Sequence, residues 1–300
     1  MDYRNYTPIQ IMKKSEWAEV FFAAVEGLER PVVVKRLKKA NQEIYREVEK
    51  LQSVHVPKVY HVEEQEDELL VVEEYIDGRI LGIYLKEEQP SDLQKIELML
   101  QLCDGLEELH NCVPPVIHRD IKPSNILITN EGILKIIDFD AARQYNPEKN
   151  TSDTRLLGTI EYAAPEQFGY AQTDARSDIY SMGVVFSELK IGKETLFAKE
   201  WKQIVDKCTS FDPENRYQKV TGIKKDLEKC VRKIKKGLLL WTAEEMVTRI
   251  KEAVADFRPH PNKKIRQGLT TELFGSGEPL AEQERVIGRE SGEAYYTFSS

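Results

Sequence analysis

The segment HRDIKPSN at residues 118–125 determines how the whole chain is interpreted. It is followed by ILI at residues 126–128 and by LKIIDF at residues 134–139, whose branched apolar side chains are typical of short strands. The two predicted strands border a loop that is rich in ionisable and amide side chains. This loop is therefore the first candidate for a functional site.

The loop contains the groups that phosphoryl transfer requires. Such a site must hold the nucleophilic hydroxyl, neutralise a triphosphate and bind a divalent cation through one or two carboxylates and amide oxygen. The residues available for these tasks are Asp120, Lys122, Asn125 and Asp138. A single loop aspartate is usually only a solvated carboxylate, whereas the complete ordered series is highly specific.

On these residues, the chain resembles the bacterial eukaryotic-like (Hanks-type) serine/threonine protein kinases over residues 9–236. The resemblance implies that Asp120 accepts the proton of the substrate hydroxyl and that Lys122 steadies the moving phosphate. It implies that Asn125 and Asp138 hold Mg²⁺, with Mn²⁺ as an alternative, and that ATP is the phosphoryl donor. Lys122 is typical of enzymes that act on serine and threonine.

The resemblance also implies an α+β fold with two lobes. The stretch at residues 9–75 is mostly strand-like and is interrupted by one amphipathic helix at residues 41–54. Long helices follow. We predict a β-rich N-lobe, a larger helical C-lobe, and a C-terminal helix with a flexible tail, at residues 1–76, 77–236 and 237–300.

Capping signals delimit the predicted helices of the C-lobe and of the C-terminal region. Ser91 and Gln94 form a capping box before a long helix, and Thr242 and Glu245 form a second one before the last helix. A nearly all-apolar helix at residues 177–189 is expected at the centre of the C-lobe. The stripe predicted to be buried on the last helix is Met246, Val247, Ile250, Val254 and Phe257.

The sequence VVVK at residues 32–35 ends a predicted strand. The resemblance implies that Lys35 grips the α- and β-phosphates and pairs with a glutamate on the next helix. Glu47 fits that position, and Glu43 and Glu49 are the alternatives.

The sequence VEEYIDG at residues 72–78 resembles the hinge between the two lobes. The resemblance implies that the carbonyl of Glu74 and the backbone of Ile76 hydrogen-bond adenine. Glu73 stands where an apolar residue is the norm, so its carboxylate needs a partner or water to offset desolvation. The side chains expected around the nucleotide are Val20, Val33 and Leu127.

The family's glycine-rich phosphate loop is absent, since KKSEWAEV occupies residues 13–20. Two interpretations remain open. In the first, the loop is a stiffer lid, with Ser15 near the phosphates and Lys13 or Lys14 supplying charge; in the second, nucleotide affinity is poor and the fold serves as a binding module. Asp140 replaces the glycine after Asp138 and Phe139, which predicts a loop less able to flip outward.

Structural motifs of the family occur further along the chain. Glu166 is expected to pair with Arg216, and Asp178 is expected to be the buried aspartate of the central helix. Arg119 suggests control by a phosphate on the activation segment, because a guanidinium binds phosphate bidentately. The candidate phosphorylation sites are Thr151, Ser152 and Thr154.

Composition limits the remaining options. The net charge of −8 argues against nucleic-acid binding, and no apolar run approaches the roughly 20 residues of a membrane span. The N-terminal residues lack a signal peptide, and the four cysteines show no zinc or disulfide spacing, so we expect a soluble cytoplasmic protein. Its expected partners are ATP and a protein substrate, with self-association for autophosphorylation left open.

Two other functional classes compete with the kinase hypothesis. One is a pseudokinase or nucleotide-sensing scaffold. The other is a small-molecule phosphotransferase of the aminoglycoside kinase type, which Arg119, Lys122 and the APE motif at residues 164–166 disfavour. The short connection at residues 192–201 predicts a narrow docking surface. The substrate is expected to be small or local, and the chain's own activation segment and an operon-linked partner are both left open.

Overall fold

The computed structural model describes residues 3–38, 42–65, 67–146, 148, 159–169, 172–192, 195 and 197–255. The chain divides into two compact units, Met1–Ile234 and Lys235–Ser300. The first unit contains all the predicted site residues.

The first unit begins with a five-stranded antiparallel sheet in the order β1-β2-β3-β5-β4. Branched and aromatic residues favour these strands, and Gly27, at a positive φ of 85°, allows the turn between β2 and β3. The predicted hairpin is therefore confirmed. The strands are β1 (Tyr6–Lys14), β2 (Ala18–Val25), β3 (Val32–Leu37), β4 (Val59–Gln65) and β5 (Glu68–Glu74).

The register of the sheet separates its side chains into two faces. Phe21 lies opposite Val34, and Val34 lies opposite Val72; these residues belong to one buried cluster. The next row, one position along, points to the other face because side chains alternate along a strand. This second face carries Lys35 and forms part of the candidate site.

Helix α1 (Gln42–Lys50) packs against β4. The predicted stripe is confirmed at Ile44 and Val48, whereas Leu51 follows the end of the helix and is half-buried. Tyr45 is also buried, at 1% exposure. The helix therefore presents a tyrosine, in addition to aliphatic side chains, to the interior.

Helices dominate the rest of the first unit. The capping box of Ser91 and Gln94 is confirmed, and so is the buried central helix, α4. A Cβ on Gly183 of α4 would collide with Cys208, so glycine permits the close approach of α4 and α5. The helices are α2 (Leu81–Glu87), α3 (Asp92–His110), α4 (Ala175–Glu188), α5 (Ala198–Cys208) and α6 (Val220–Ala255).

Two small sheets position the loop at residues 118–125. One pairs β7 with β10 and the other has the order β6-β8-β9, so the loop leaves β7 and enters β8. The predicted strand at residues 126–128 is confirmed as β8, and the strand predicted at residues 134–139 is confirmed as β9 only over residues 134–136. The strands are β6 (Gly78–Ile80), β7 (Val116–Ile117), β8 (Ile126–Thr129), β9 (Leu134–Ile136) and β10 (Arg143–Gln144).

The prediction of a separate last helix that begins at Thr242 is wrong, because α6 continues without a break from Val220 to Ala255. A glycine such as Gly237 costs a helix interior only about 1 kcal/mol, and the leucines after it are strong helix formers. Met246 and Val247 are exposed rather than buried. Phe257 lies outside the described residues.

The observed architecture is the predicted α+β fold, with a β-rich N-terminal region and a helical C-terminal region. The three predicted domain boundaries stay predictions. Within the described parts of the chain, no helix combines the length and the apolar character that a membrane span requires.

Candidate active site

A buried aspartate holds the backbone of the loop that carries Asp120. The Oδ2 and Oδ1 atoms of Asp178 accept the amide hydrogens of His118 and Arg119, at 2.9 and 2.7 Å. Burial alone would raise the pKa of Asp178, but the hydrogen bond with His110 and the Arg119 amide lower it below its usual value. Asp178 is therefore a carboxylate at neutral pH, and the predicted buried aspartate is confirmed.

The side chain of Asp120 is held on both oxygens. Its Oδ1 accepts hydrogen bonds from the amide and the hydroxyl of Thr159, at 2.9 and 3.0 Å. Its Oδ2 lies 2.7 Å from Lys122 Nζ and 2.8 Å from Asn125 Nδ2. Lys122 also donates to the Thr159 hydroxyl at 2.6 Å. The structure therefore brings together three of the predicted catalytic residues.

Thr159 belongs to this network, although the sequence placed it only at the end of the activation segment. Its contact with Asp120 spans 39 positions along the chain. The signal in the sequence was the GT pair at residues 158–159, which precedes the APE motif. That signal locates the segment but not the side chain that it contacts.

Asn125 and Asp138, the two predicted metal ligands, are brought together by the backbone. The Ile137 amide donates to the Asn125 carbonyl at 2.9 Å, which joins the loop to the end of β9. Burial opposes ionisation of Asp138, but the nearby Lys35 ammonium and the hydrogen bond from the Asp140 amide lower its pKa. One carboxylate and one amide oxygen are hard ligands that suit Mg²⁺.

Among the described residues, no group of three or more His, Cys, Asp or Glu side chains is arranged as a closed metal cage. A site with few protein ligands fits a Mg²⁺ ion that also binds water and phosphate oxygens. The residues present therefore fit a metal that is bound together with a nucleotide.

Lys35 pairs with Glu73, so the predicted pairing with Glu47 is wrong. The Lys35 Nζ atom lies 2.7 Å from Glu73 Oε1, and Glu47 instead pairs with Lys50 at 2.6 Å. The helix face explains the difference. Glu47 is two positions after the buried Tyr45, or about 200° around the helix, and points away from Lys35.

Burial opposes the positive charge of Lys35, but Glu73 and Asp138 outweigh this effect and raise its pKa. Lys35 is therefore an ammonium group at neutral pH. Burial raises the pKa of Glu73, and the charge of Lys35 opposes that rise. The partner that the Glu73 carboxylate was expected to need is thus Lys35.

Tyr45 and Asp140 connect α1 to the segment that follows Asp138. The Tyr45 hydroxyl donates to Asp140 Oδ1 at 2.8 Å, and Lys35 Nζ lies 6.0 Å from the centre of the tyrosine ring. Burial and the adjacent Asp138 carboxylate raise the pKa of Asp140. The residue that replaces the family's glycine is therefore engaged in a tertiary contact.

Three backbone amides of the turn between β1 and β2 form hydrogen bonds within the turn itself. The Ser15 hydroxyl accepts hydrogen bonds from the amides of Trp17 and Ala18, at 3.3 and 3.0 Å, and the Ser15 amide donates to the Ala18 carbonyl at 2.8 Å. Phosphate binding by a glycine-rich loop requires amides that face the ligand. The internal bonds of this turn remove that arrangement.

The two lysines at this turn differ in their surroundings. Lys14 forms an ion pair with Glu19 at 2.7 Å on the exposed side of the hairpin. Lys13 contributes a positive charge that helps to lower the pKa of Asp138 and opposes the rise in the pKa of Asp140. Lys13 is therefore the lysine whose charge acts at the metal-binding side of the site.

The predicted adenine site involves the end of β5. The Glu74 carboxylate accepts hydrogen bonds from Lys135 Nζ at 2.8 Å and from the Lys58 amide at 3.0 Å. Of the three side chains expected around the ring, Val33 is 9% exposed and the other two, Val20 and Leu127, are half-buried. The roles of Glu74 and Ile76 in binding adenine stay predictions.

The predicted ion pair of Glu166 and Arg216 is confirmed. Two nitrogens of the guanidinium contact the two carboxylate oxygens, at 2.7 and 3.0 Å, and both side chains are buried. Ser177 donates to Glu166 at 2.7 Å. This pair ties the APE motif to α4 and to the turn before α6. The three candidate phosphorylation sites, Thr151, Ser152 and Thr154, lie outside the described residues.

Comparison with known proteins places this geometry in a family. The protein kinase domain family matches residues 14–253. The chain is 30% identical over 262 residues to a Clostridium perfringens protein whose name is "probable serine/threonine-protein kinase". The match covers 75% of this chain and 38% of the relative. It is 28% identical over 261 residues to the serine/threonine-protein kinase PrkC of Bacillus subtilis, with 75% and 40% covered.

A plant protein shows a shorter match. A leucine-rich repeat receptor-like serine/threonine-protein kinase of Arabidopsis thaliana is 33% identical over 200 residues, which cover 62% of this chain and 22% of the relative. The chain thus spans 40% or less of the length of these three relatives. The family match covers most of the chain, and the chain belongs to the protein kinase domain family, with bacterial Hanks-type serine/threonine kinases among its relatives.

Proposed function

We propose that this chain transfers the γ-phosphoryl group of ATP to serine and threonine hydroxyls of proteins. The observation that carries the proposal is the network around Asp120. Thr159, Lys122 and Asn125 hold both oxygens of its carboxylate. A carboxylate that is oriented in this way can accept the proton of a substrate hydroxyl.

The same network supports roles for its other members. Lys122 carries a positive charge 2.7 Å from the Asp120 carboxylate, where it can stabilise negative charge on the phosphoryl group in transfer. The hydroxyl of Thr159 links these two side chains. Asn125 and Asp138 would hold the cation, and we propose Mg²⁺ as that cation, with Mn²⁺ as the alternative. When bound, the cation neutralises charge on the phosphates.

The proposal also covers the substrates and the cellular location. The chain's own activation segment is one proposed substrate. We propose that one copy of the chain phosphorylates Thr151, Ser152 or Thr154 of a second copy. The four cysteines are free thiols, which fits the reducing cytoplasm. The net charge of −8 disfavours a nucleic-acid partner.

The test is a phosphorylation assay with labelled ATP, Mg²⁺ and a panel of proteins. We expect label on serine and threonine of the substrates, and Asp120→Asn should lower the rate by about 10²–10⁴-fold because the proton acceptor is lost. Asp206→Asn, at an exposed position of α5, is the matched control and should leave the rate unchanged. Equal labelling by wild type and Asp120→Asn would refute the proposal.

Mass spectrometry of the chain after incubation with ATP alone tests the autophosphorylation proposal. We expect phosphate on residues 151–154, at an initial rate per molecule that rises with protein concentration. A rate per molecule that is independent of protein concentration would contradict phosphorylation of one copy by another. The cation is tested by comparing initial rates in Mg²⁺ and Mn²⁺ at equal concentration.

A further inference from the structure

The register of the sheet places Lys35 and Glu73 on the same face. In the ladder between β3 and β5, Lys35 lies opposite Val71, and Val33 lies opposite Glu73. Glu73 is therefore the diagonal neighbour of Lys35, at a Cα separation of about 7–8 Å that long side chains can bridge. The observed distance of 2.7 Å between Nζ and Oε1 follows from this register.

Both members of this pair are buried. The side chain of Lys35 is 10% exposed and that of Glu73 is 7% exposed. Each charge is therefore desolvated, and removal of one partner leaves an uncompensated charge in the interior. Such a pair holds the lysine in one direction, along the face of the sheet that forms part of the candidate site.

Among the described residues, the carboxylates that raise the pKa of Lys35 are those of Glu73, Asp138 and Asp140, none of which lies on α1. Its inward face carries Ile44, Tyr45 and Val48, and the hydroxyl of Tyr45 is bonded to Asp140. Glu47 is engaged with Lys50. The ring of Tyr45, whose centre lies 6.0 Å from Lys35 Nζ, is thus the side chain that α1 presents to the lysine.

We infer that Glu73 is the positioning residue that aims Lys35 at the nucleotide phosphates in this chain, in place of a glutamate on helix α1. The hydrogen-bonded ladder between two central strands then sets the direction of the lysine, whatever the position of α1. A change at the helix is therefore expected to act through Tyr45 and Asp140 and not through Lys35.

The kinetic part of the test rests on the proposed phosphotransferase activity. We expect Glu73→Gln to raise KM for ATP and to lower kcat/KM on the order of 10²-fold, because a misdirected lysine no longer meets the phosphates. Glu47→Gln removes the rival carboxylate and should change kcat/KM by less than about threefold. Glu64→Gln, at an exposed site on β4, controls for the loss of one negative charge from the sheet.

Chemical labelling tests the same inference without any turnover. Acetylation of Lys35 by acetic anhydride is measured by mass spectrometry, with the exposed Lys202 as internal standard. We expect a several-fold rise in Lys35 acetylation in Glu73→Gln, because a buried lysine without its partner loses its proton more easily. Glu47→Gln should match the wild type. If no variant shows turnover but this pattern appears, the proposed function fails and the pairing stands.

Loss of folding is separated from loss of positioning by thermal unfolding of single and double variants. Lys35→Met should lower Tm less in the Glu73→Gln background than in the wild type, because the ion pair is already broken there. Three results would overturn the inference: additive Tm shifts for these two variants, unchanged acetylation in Glu73→Gln, or a larger kinetic loss in Glu47→Gln than in Glu73→Gln.

Discussion

The region around Asp120 and the region around Lys35 differ in how closely they follow the family. Around Asp120, the predicted residues Lys122 and Asn125 and the additional Thr159 are joined to the carboxylate by hydrogen bonds of 2.7–3.0 Å. Around Lys35, the partner comes from β5 instead of α1, and the turn at Ser15 satisfies its own amides.

The difference follows from the geometric demands of the two tasks. Acceptance of a proton requires one carboxylate in one orientation, and several neighbouring side chains must hold it there. Neutralisation of phosphates requires positive charge at a given place, and different side chains can supply or orient it. We therefore expect the region around Asp120 and the helices that support it to be intolerant of change and the turn between β1 and β2 to be tolerant, and the following predictions test this contrast.

The largest effect is expected on the stability of the helical region. Glu166→Gln should lower the free energy of unfolding by about 3–5 kcal/mol, because Arg216 is left as a buried charge without its carboxylate. Denaturant unfolding followed by circular dichroism measures the change. Asp206→Asn breaks an exposed ion pair with Lys202 and should leave the transition where it was. Similar shifts for the two variants would remove the contrast.

The second effect concerns the hydroxyl that joins Asp120 and Lys122. Thr159→Ala should lower kcat on the order of 10²-fold with little change in KM for ATP, because the proton acceptor and the lysine lose their common partner. Thr159→Ser keeps the hydroxyl and should retain most of the rate. Steady-state kinetics with a peptide substrate gives both constants, and equal losses for alanine and serine would show that the hydroxyl is irrelevant.

The third effect is a pH dependence of stability at His118. Its Nδ1 atom is 3.3 Å from the Asp120 amide and accepts that hydrogen, and its Nε2 atom donates to the Ile137 carbonyl at 3.2 Å. Burial lowers the pKa of His118 below 6.5, although neighbouring carboxylates such as Asp178 oppose this. The folded protein is therefore fitted to the neutral imidazole.

The sign follows from the lowered pKa. Above about pH 6.5 neither state binds the proton, so His118 leaves the free energy of unfolding unchanged. Below that pH the unfolded chain takes up a proton that the folded chain refuses, and stability falls by up to about 1.4 kcal/mol per pH unit until the folded-state pKa is reached. His118→Phe should flatten the slope between pH 7.5 and 5.5 in urea unfolding, and an unchanged slope in this variant would contradict the prediction.

The smallest effect is expected at the turn between β1 and β2. Lys13→Ala should raise KM for ATP by about two- to fivefold. The effect should be larger at low salt, because Lys13 is exposed and ions in solution screen its charge. Lys14→Ala removes the ion pair with Glu19 and should leave KM unchanged. The comparison uses KM for ATP at two ionic strengths. A larger effect on KM for Lys14→Ala than for Lys13→Ala would show that Lys14, and not Lys13, supplies the charge.

The residues around Asp120 could be predicted because their pattern is local. Asp120, Lys122 and Asn125 lie within six positions of one another, and the β8–β9 hairpin returns the chain to the same place at Asp138. The capping box at Ser91 and the apolar helix α4 are equally local signals. Contacts of this kind follow from spacing and from the identity of the side chains.

Long-range contacts were decided only by the tertiary structure. The sequence favoured Glu47 over Glu43 and Glu49 but could not decide which glutamate reaches Lys35, because the face that a helix turns inward depends on what it packs against. The pairing of Lys35 with Glu73 depends on the register of β3 and β5, and a shift by one residue would have turned Glu73 to the other face.

The continuous helix α6 is a third example of the limits of local patterns. Thr242 and Glu245 have the spacing of a capping box, but a cap forms only where the preceding residues leave the helical conformation. The sequence by itself thus determined the family, the catalytic segment and most elements, since these depend on neighbours in the chain. The tertiary structure decided which charges pair at the site, since that depends on helix rotation and strand register.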